Sequence, residues 1–330
     1  LDWQALFARM RDAGCTHVVM EVSSHSLILE RVAGIEFDVG IYTNLSQDHL
    51  DFHNTMEEYA EAKSRLFSHC RIGCCNADDD WADMMARNAK CPMISYSAIG
   101  ADADLTAKDI SLSSSNVRFM ATDKSGSAET VLNIPGMFSV YNALGVMAAG
   151  RALGISIEDC AAAIGTAKGV KGRMEVVPTD GDYSILIDYS HKPDALEKVL
   201  KTLRPVTRGR LMALFGCGGD RDRIKRPIMG AIAADNADIC IVTSDNPRTE
   251  DPEAIIAEII PGTENKHAVV KNICDRIEAI HWAIDNACPG DVILLAGKGH
   301  EDYQEINHVK HHMDEREIVA DYLEQRKRAR

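Results

Sequence analysis

No stretch of this chain is apolar for the roughly 18 residues that a membrane-spanning helix needs. The longest candidate, residues 144–155, is short and is broken by Arg151. Positive charge is scarce as well. The 36 Lys and Arg residues face 50 Asp and Glu, and the net charge of −14 would repel a nucleic-acid backbone. Nucleic acid and membrane are thus unexpected as partners, although a local basic pocket for a small anion remains open. The ten cysteines include no CxxC pair. Cys74, Cys75 and Cys240 sit inside apolar runs, where a reduced thiol packs as a small hydrophobe, and the pattern suits cytosolic structural thiols better than a disulfide framework. There is no internal repeat, no low-complexity tract and no signal-peptide pattern before the first element, so a cytoplasmic location is expected. Nor does a Met open the chain: Leu1 leads directly into a helical pattern, and the expectation is a fragment.

What is present suits a soluble protein. The 330 residues, 45% hydrophobic and 26% charged, can bury a sizeable core and make about two domains. Helical spacing over residues 2–13 stops at Gly14, and the apolar run 17–22 reads as a buried strand. A second strand follows at 37–43. Thr55 begins a helix running to about residue 69, with Glu57 and Glu58 in its first turn. Residues 116–134 read as a hairpin turning at 123–126, and helices are expected at about 139–153 and 156–165. The small, basic, glycine-containing stretch 166–173 marks a domain boundary. Beyond it, strands near 184–188, 210–215, 239–243, 267–270 and 291–295 alternate with helical patterns. That alternation implies parallel crossovers and a doubly wound sheet, whose ligands gather beyond the carboxyl ends of the strands.

The polar motifs fall at those ends. Glu21 and His49 lie just past apolar strands beside Ser23, Ser24 and Asp48, where oxygen and imidazole groups could meet a divalent cation and a phosphate. Their simpler role is to cap helices and turns. Lys63 stands mid-helix, ordinarily a solvated position. The loop Gly216-Cys217-Gly218-Gly219-Asp220-Arg221 lets backbone approach a ligand, but charged residues follow where a dinucleotide helix would begin packing. Asp245-Asn246-Pro247-Arg248 offers an anion, an amide and a guanidinium on one turn, and Gly297-Lys298-Gly299-His300-Glu301 has the same placement. His308, His311 and His312 read as a surface turn.

Taken together, Glu21-Val-Ser-Ser-His, Asn44-Leu-Ser-Gln-Asp-His-Leu-Asp, Ala62-Lys63-Ser-Arg-Leu-Phe, Asp188-Tyr-Ser-His-Lys-Pro-Asp, the glycine loop with its preceding Phe215, Asp245-Asn-Pro-Arg and Gly297-Lys-Gly-His-Glu-Asp-Tyr-Gln follow the order and spacing of one family. Over nearly its whole length the chain resembles the Mur ligases, in particular those that add diaminopimelate. The resemblance implies an α/β protein: a remnant of a mixed-sheet ATPase-type central domain (1–168), then a Rossmann-like, doubly wound C-terminal domain (169–330). The family's GxxGK[ST] phosphate loop occurs nowhere in these residues. The chain is therefore expected to be a partial enzyme, inactive by itself.

The implied reaction is ATP-dependent. ATP converts the D-glutamate side-chain carboxylate of UDP-MurNAc-L-Ala-D-Glu into an acyl phosphate, and the amine of meso-diaminopimelate displaces the phosphate as the amide forms. A carboxylate is a poor electrophile until its oxygen belongs to a leaving group, and magnesium neutralises the charge that moves. By the same resemblance, Glu21, His49 and a carbamylated Lys63 are the metal-facing, catalytic positions. Ser23 and Arg31 contact the UDP-linked substrate, and Asn142, Arg173, Asp188 and His191 face the nucleotide. Arg221, Asp245, Asn246, Pro247, Arg248, Gly297 and Glu301 contact diaminopimelate. An Arg fork suits a carboxylate, and Asp and Glu suit an ammonium. The expected partners are these small molecules, and the expected assembly is a monomer. Four alternatives stand beside this reading: a lysine-adding ligase, a folylpolyglutamate-type ligase of the same fold, a nicotinamide oxidoreductase using the glycine loop, and a ligand-binding fragment without turnover.

Overall fold

The computed structural model describes residues 2–46 and 50–329, with backbone only for residues 2, 50 and 51. The chain divides into two compact units. One comprises residues up to 110 with 119–130 and 140–164; the other comprises 111–118, 131–139 and the chain from 165 onward.

The first unit carries α1 (Asp2–Asp12), α2 (Ser24–Ile28), β1 (Phe37–Tyr42), α3 (Leu50–His53), α4 (Met56–Ser64), β2 (Cys70–Asn76), α5 (Ala82–Asn88), β3 (Met93–Ser97), β4 (Leu105–Leu112), β5 (Val117–Asp123), β6 (Gly126–Leu132), α6 (Met137–Ala152) and α7 (Ile157–Gly165), several of the later elements running into segments of the second. Its sheet runs β1-β2-β3-β4-β5-β6, and the first four strands are parallel. Local chemistry sets the boundaries. Gly14 takes φ +85° and stops α1. Thr55 caps α4 by accepting a hydrogen bond from the Glu58 N–H at 3.1 Å. Lys124-Ser125 turns β5 into β6, with Asp123 Oδ1 accepting from the Ser125 N–H. Tyr42, Ala60, Phe67, Cys75 and Met85 form a buried cluster. Burial pushes the thiols of Cys74 and Cys75 up to about 12, in keeping with structural roles.

One expected element is absent. Residues 17–22 form no strand, and Val19 is 98% exposed. An apolar run becomes a strand only by laddering with a neighbour, and none of the described strands pairs with it: the sheet begins at β1.

The second unit is the expected doubly wound sheet. It contains β7 (Glu175–Val177), β8 (Ser184–Asp188), α8 (Pro193–Leu203), β9 (Leu211–Phe215), α9 (Lys225–Asn236), β10 (Ile239–Val242), α10 (Pro252–Ile259), β11 (Val269–Asn272), α11 (Arg276–Asp285), β12 (Val292–Ala296), β13 (Tyr303–Ile306), β14 (Val309–His312) and α12 (Glu315–Ala329). The strand order is β11-β10-β9-β12-β8-β7, parallel except for β7, which runs antiparallel at the edge. Period-two alternation serves both faces at once. Leu211, Ala213 and Phe215 pack with Leu196, Leu200 and Leu203 of α8 and with α9 and α10. Met212 and Leu214 pack with Ile280 and Ile284 of α11 and Val319 and Leu323 of α12. Strands buried on both faces read as continuous apolar runs, which is why they were legible. β13 and β14 form a separate hairpin, turning at Asn307 and His308, both at positive φ. The expected surface turn is corrected by this: His308 is in the turn, whereas His311 and His312 are drawn into the ladder opposite Gln304 and Tyr303. Among the described residues, no helix is long and apolar enough to cross a membrane.

Candidate active site

In the second unit the chain steps from β9 outward through β10 to β11, while β12 and β8 lie on the other side of β9. The strand order therefore reverses between β9 and β12, and a crevice is expected beyond their carboxyl ends. Four loops meet around this end of the sheet: 189–192 after β8, 216–224 after β9, 243–251 after β10 and 297–302 after β12. Backbone contact is close. The Gly219 N–H donates to the Asn246 carbonyl at 2.9 Å, and a Cβ at Gly219 would collide with the Pro247 carbonyl.

Asp245, Asn246, Gly297 and Glu301 come together here. Asn246 is 3% exposed; its Nδ2 donates to Glu301 Oε2 at 2.9 Å, and its Oδ1 accepts from the Glu305 N–H at 2.9 Å. Lys298, wholly buried, places Nζ 3.1 Å from Asn246 Oδ1 and 3.3 Å from Glu301 Oε2. Asp245 Oδ1 accepts from the Asn246 N–H, while Oδ2 is buried and meets no hydrogen-bond donor among the described residues. Gly297 faces that oxygen: a Cβ there would sit 2.9 Å from it. A buried carboxylate oxygen left without a donor is costly unless something cationic or protic supplies one.

Two arginines border the glycine loop beside these residues. Arg248 adopts φ +52°, a left-handed conformation that costs a non-glycine residue on the order of 1 kcal/mol. Its Nη1 donates to the Gly219 carbonyl at 2.8 Å and its Nε lies 3.3 Å from Glu305 Oε2, so the guanidinium is held in one orientation. Arg221 is exposed on the glycine loop, and its stem and the Arg248 head both border Gly218. Beneath the loop the wholly buried Arg226 forms paired bonds with Glu250 and a bond with Glu258. Together with the Asp220 N–H, Arg226 holds the Glu250 carboxyl down to about 2.

Asp188, His191 and Arg173 lie near one another in the same unit. Buried Asp188 accepts from the Met174 and Ser190 N–H groups, each at 2.9 Å. The rings of His191 and Tyr189 are 4.6 Å apart, and the exposed Arg173 guanidinium stands 5.2 Å from the Tyr189 ring.

In the first unit, Ser23 caps α2 and Glu21 is exposed just before it. Arg31 is exposed beyond α2, and Asn142 is exposed on α6. Lys63 is half-buried in the last turn of α4, with Nζ 5.2 Å from the Tyr59 ring centroid. His49 lies outside the described residues. Among the described residues, no three His, Cys, Asp or Glu side chains are gathered as metal ligands.

Residues 1–150 match the Mur ligase middle domain, and residues 172–299 match the Mur ligase glutamate ligase domain. The UDP-N-acetylmuramoyl-L-alanyl-D-glutamate–2,6-diaminopimelate ligase of Clostridioides difficile is 44% identical over 326 residues, which span 98% of this chain and 67% of that protein. The chain belongs to the Mur ligase family. The ligase of the same name as the Clostridioides protein from Caldanaerobacter subterraneus is 46% identical to this chain, over 98% of it and 67% of that protein. A solved diaminopimelate ligase structure superposes with a TM-score of 0.80 at 38% identity, over 99% of this chain and 68% of that one. The chain thus spans about two thirds of the length of these relatives.

Within this Mur ligase fold the glycine loop packs closely on the loop after β10. Gly216 and Gly219 are packed onto the backbone of residues 243–247, which explains why charged residues can follow them. Lys298 was missed in the sequence as a site residue. Its signal was a lysine placed between two glycines directly after a wholly buried strand. Arg276 and Arg226 carried no such signal, because each looks like the polar face of a helix until its distant partner is known.

Proposed function

We propose that this chain holds the central (1–168) and C-terminal (169–330) domains of an ATP-dependent amide ligase, which adds meso-diaminopimelate to UDP-MurNAc-L-Ala-D-Glu in cell-wall precursor synthesis. The observation that carries the amino-acid side is the donorless, buried Asp245 Oδ2, facing Gly297 on a loop whose Asn246 bonds Glu301 and whose Arg248 borders Gly218 together with Arg221. That set is complementary to a free amino-acid end. Asp245 and Glu301 take the ammonium, and the oriented Arg248 guanidinium, with Arg221, takes the carboxylate. Fixing that end positions the reacting amine, and Asn246, Pro247 and Gly297 shape the pocket.

ATP is the co-substrate: its γ-phosphoryl group goes to the glutamate carboxylate, and inorganic phosphate leaves when the amine attacks the acyl carbon. Asn142, Arg173, Asp188 and His191 are proposed for the nucleotide, and Ser23 and Arg31 for the UDP-linked peptide. Glu21, His49 and a Lys63 carbamate are proposed to face magnesium on grounds of resemblance. The enzyme is proposed to act as a cytoplasmic monomer on small molecules. The test uses protein translated from the complete coding sequence, supplied with ATP, magnesium, UDP-MurNAc-L-Ala-D-Glu and meso-diaminopimelate. Phosphate release that requires both acceptor and amine, with a product heavier by one diaminopimelate less water, supports the reading. Phosphate release indifferent to diaminopimelate contradicts it.

A further inference from the structure

Arg276 and Glu315 are both 0% exposed and form an ion pair, with Arg276 Nε and Nη2 each 2.8 Å from Glu315 Oε1. They belong to α11 and α12, and neither side chain reaches solvent. The guanidinium does more than pair. Its Nη2 donates to the Ala296 carbonyl at 2.9 Å, and its Nη1 donates to the Ser244 carbonyl at a longer 3.4 Å. Ala296 is the last residue of β12 and immediately precedes Gly297; Ser244 immediately precedes Asp245. These two chain segments are not neighbours in the sheet, since β9 lies between β10 and β12. The turn just before α11 holds the Ser244 segment as well: the Ser244 N–H and Thr243 Oγ1 both donate to the Cys274 carbonyl, at 3.1 and 3.2 Å.

We propose that Arg276, charged and oriented by Glu315, is the positioning residue that sets the spacing between the Asp245-Asn246 loop and the Gly297–Glu301 loop, and so sets affinity for the amino-acid substrate. The inference rests on the amino-acid site proposed above. The geometry explains why a wholly buried ion pair stands at this place. A pair used only for stability is replaceable, because well-packed apolar residues of similar volume often serve as well or better. A fork that holds two carbonyls on non-adjacent loops has no apolar substitute. Above Arg276, Lys298 and Glu301 join the two loops to each other through Asn246, and Arg248 bonds the backbone of Glu305 and Asn307 further on; Arg276 adds a link at the start of both loops, where they leave their strands.

The experiment compares R276M/E315M with R276K in protein translated from the complete coding sequence, measuring melting temperature, kcat, and KM for diaminopimelate and for ATP. The double variant removes both charges together and is expected to melt within a few degrees of the parent. Its KM for diaminopimelate should rise at least tenfold while its KM for ATP stays within twofold. R276K keeps a charge for Glu315 but cannot reach both carbonyls, and a rise of about fivefold is expected for diaminopimelate alone. A folded double variant with the parent's KM for diaminopimelate overturns the proposal. If the double variant fails to fold, an unchanged KM in R276K overturns it equally. A parent enzyme that does not use diaminopimelate at all sinks the underlying site assignment instead, which separates the two failures.

Discussion

Replacing Arg248 with Ala should remove the recognition of the substrate's far carboxylate. The side chain is 18% exposed and is anchored by the Gly219 carbonyl at 2.8 Å and Glu305 at 3.3 Å, so its head enters the bound state with little orientation left to lose. Truncating one partner of such a charged, hydrogen-bonded pair costs roughly 2–5 kcal/mol. Glu305, 22% exposed, would then face the incoming carboxylate without its cation, and that repulsion acts in the same direction. Arg221 retains part of the attraction, which argues for the lower half of the range. A loss of about 2.8 kcal/mol is a hundredfold. In steady-state kinetics, kcat/KM for diaminopimelate should fall at least about a hundredfold in Arg248→Ala, while KM for ATP moves less than about twofold. Arg248→Lys should not restore it, because a point charge cannot reproduce the planar fork. A solvated arginine on a turn would instead change activity by only about 0.5 kcal/mol. An Arg248→Ala enzyme within twofold of the parent would refute the assignment.

Three further outcomes follow from the geometry. Gly297→Ala places a Cβ 2.9 Å from Asp245 Oδ2 at φ +111°, so thermal unfolding should show a loss of about 1–3 kcal/mol together with weaker diaminopimelate use; an unshifted melting curve contradicts this. Arg226 depresses the Glu250 carboxyl from its ordinary 4.5 to about 2, so the stabilisation is complete above pH 4.5 and disappears as the pH falls towards 2. Partial exposure holds it to roughly 1–2 kcal/mol, and Glu250→Gln should flatten that acid limb of a chemical-denaturation profile; an unchanged profile speaks against the pair. Lys63→Ala should lose most ligase activity and regain part of it with added short carboxylates, as a missing carbamate would require; full activity without them rules the carbamate out.

Much of the second unit was legible because its chemistry is local. Strands such as Leu211–Phe215 and Val292–Ala296 are apolar without interruption, and a polar motif directly after each one falls at a carboxyl end by construction. Asp245, Asn246, Gly297 and Glu301 were marked in that way, and the structure brings these four residues close together. Residues 17–22 misled because apolar composition alone does not say whether a neighbouring strand exists. Arg276 was unreadable for a different reason: its partner is 39 residues away on another helix, and only the fold makes a surface-looking arginine wholly buried. His311 and His312 were misread because the tight Asn307-His308 turn hands the following residues to a ladder.

The central claim is that this pocket selects an amino acid bearing a second carboxylate. Equimolar meso-diaminopimelate and L-lysine, offered together with ATP, magnesium and UDP-MurNAc-L-Ala-D-Glu to protein from the complete coding sequence, test it in one mass spectrum. With lysine bound, the Arg248 guanidinium would face no second carboxylate, and sites built around such a group reject analogues lacking it by about 10⁴-fold. The account predicts a single product carrying diaminopimelate. A lysine adduct of comparable intensity would contradict it.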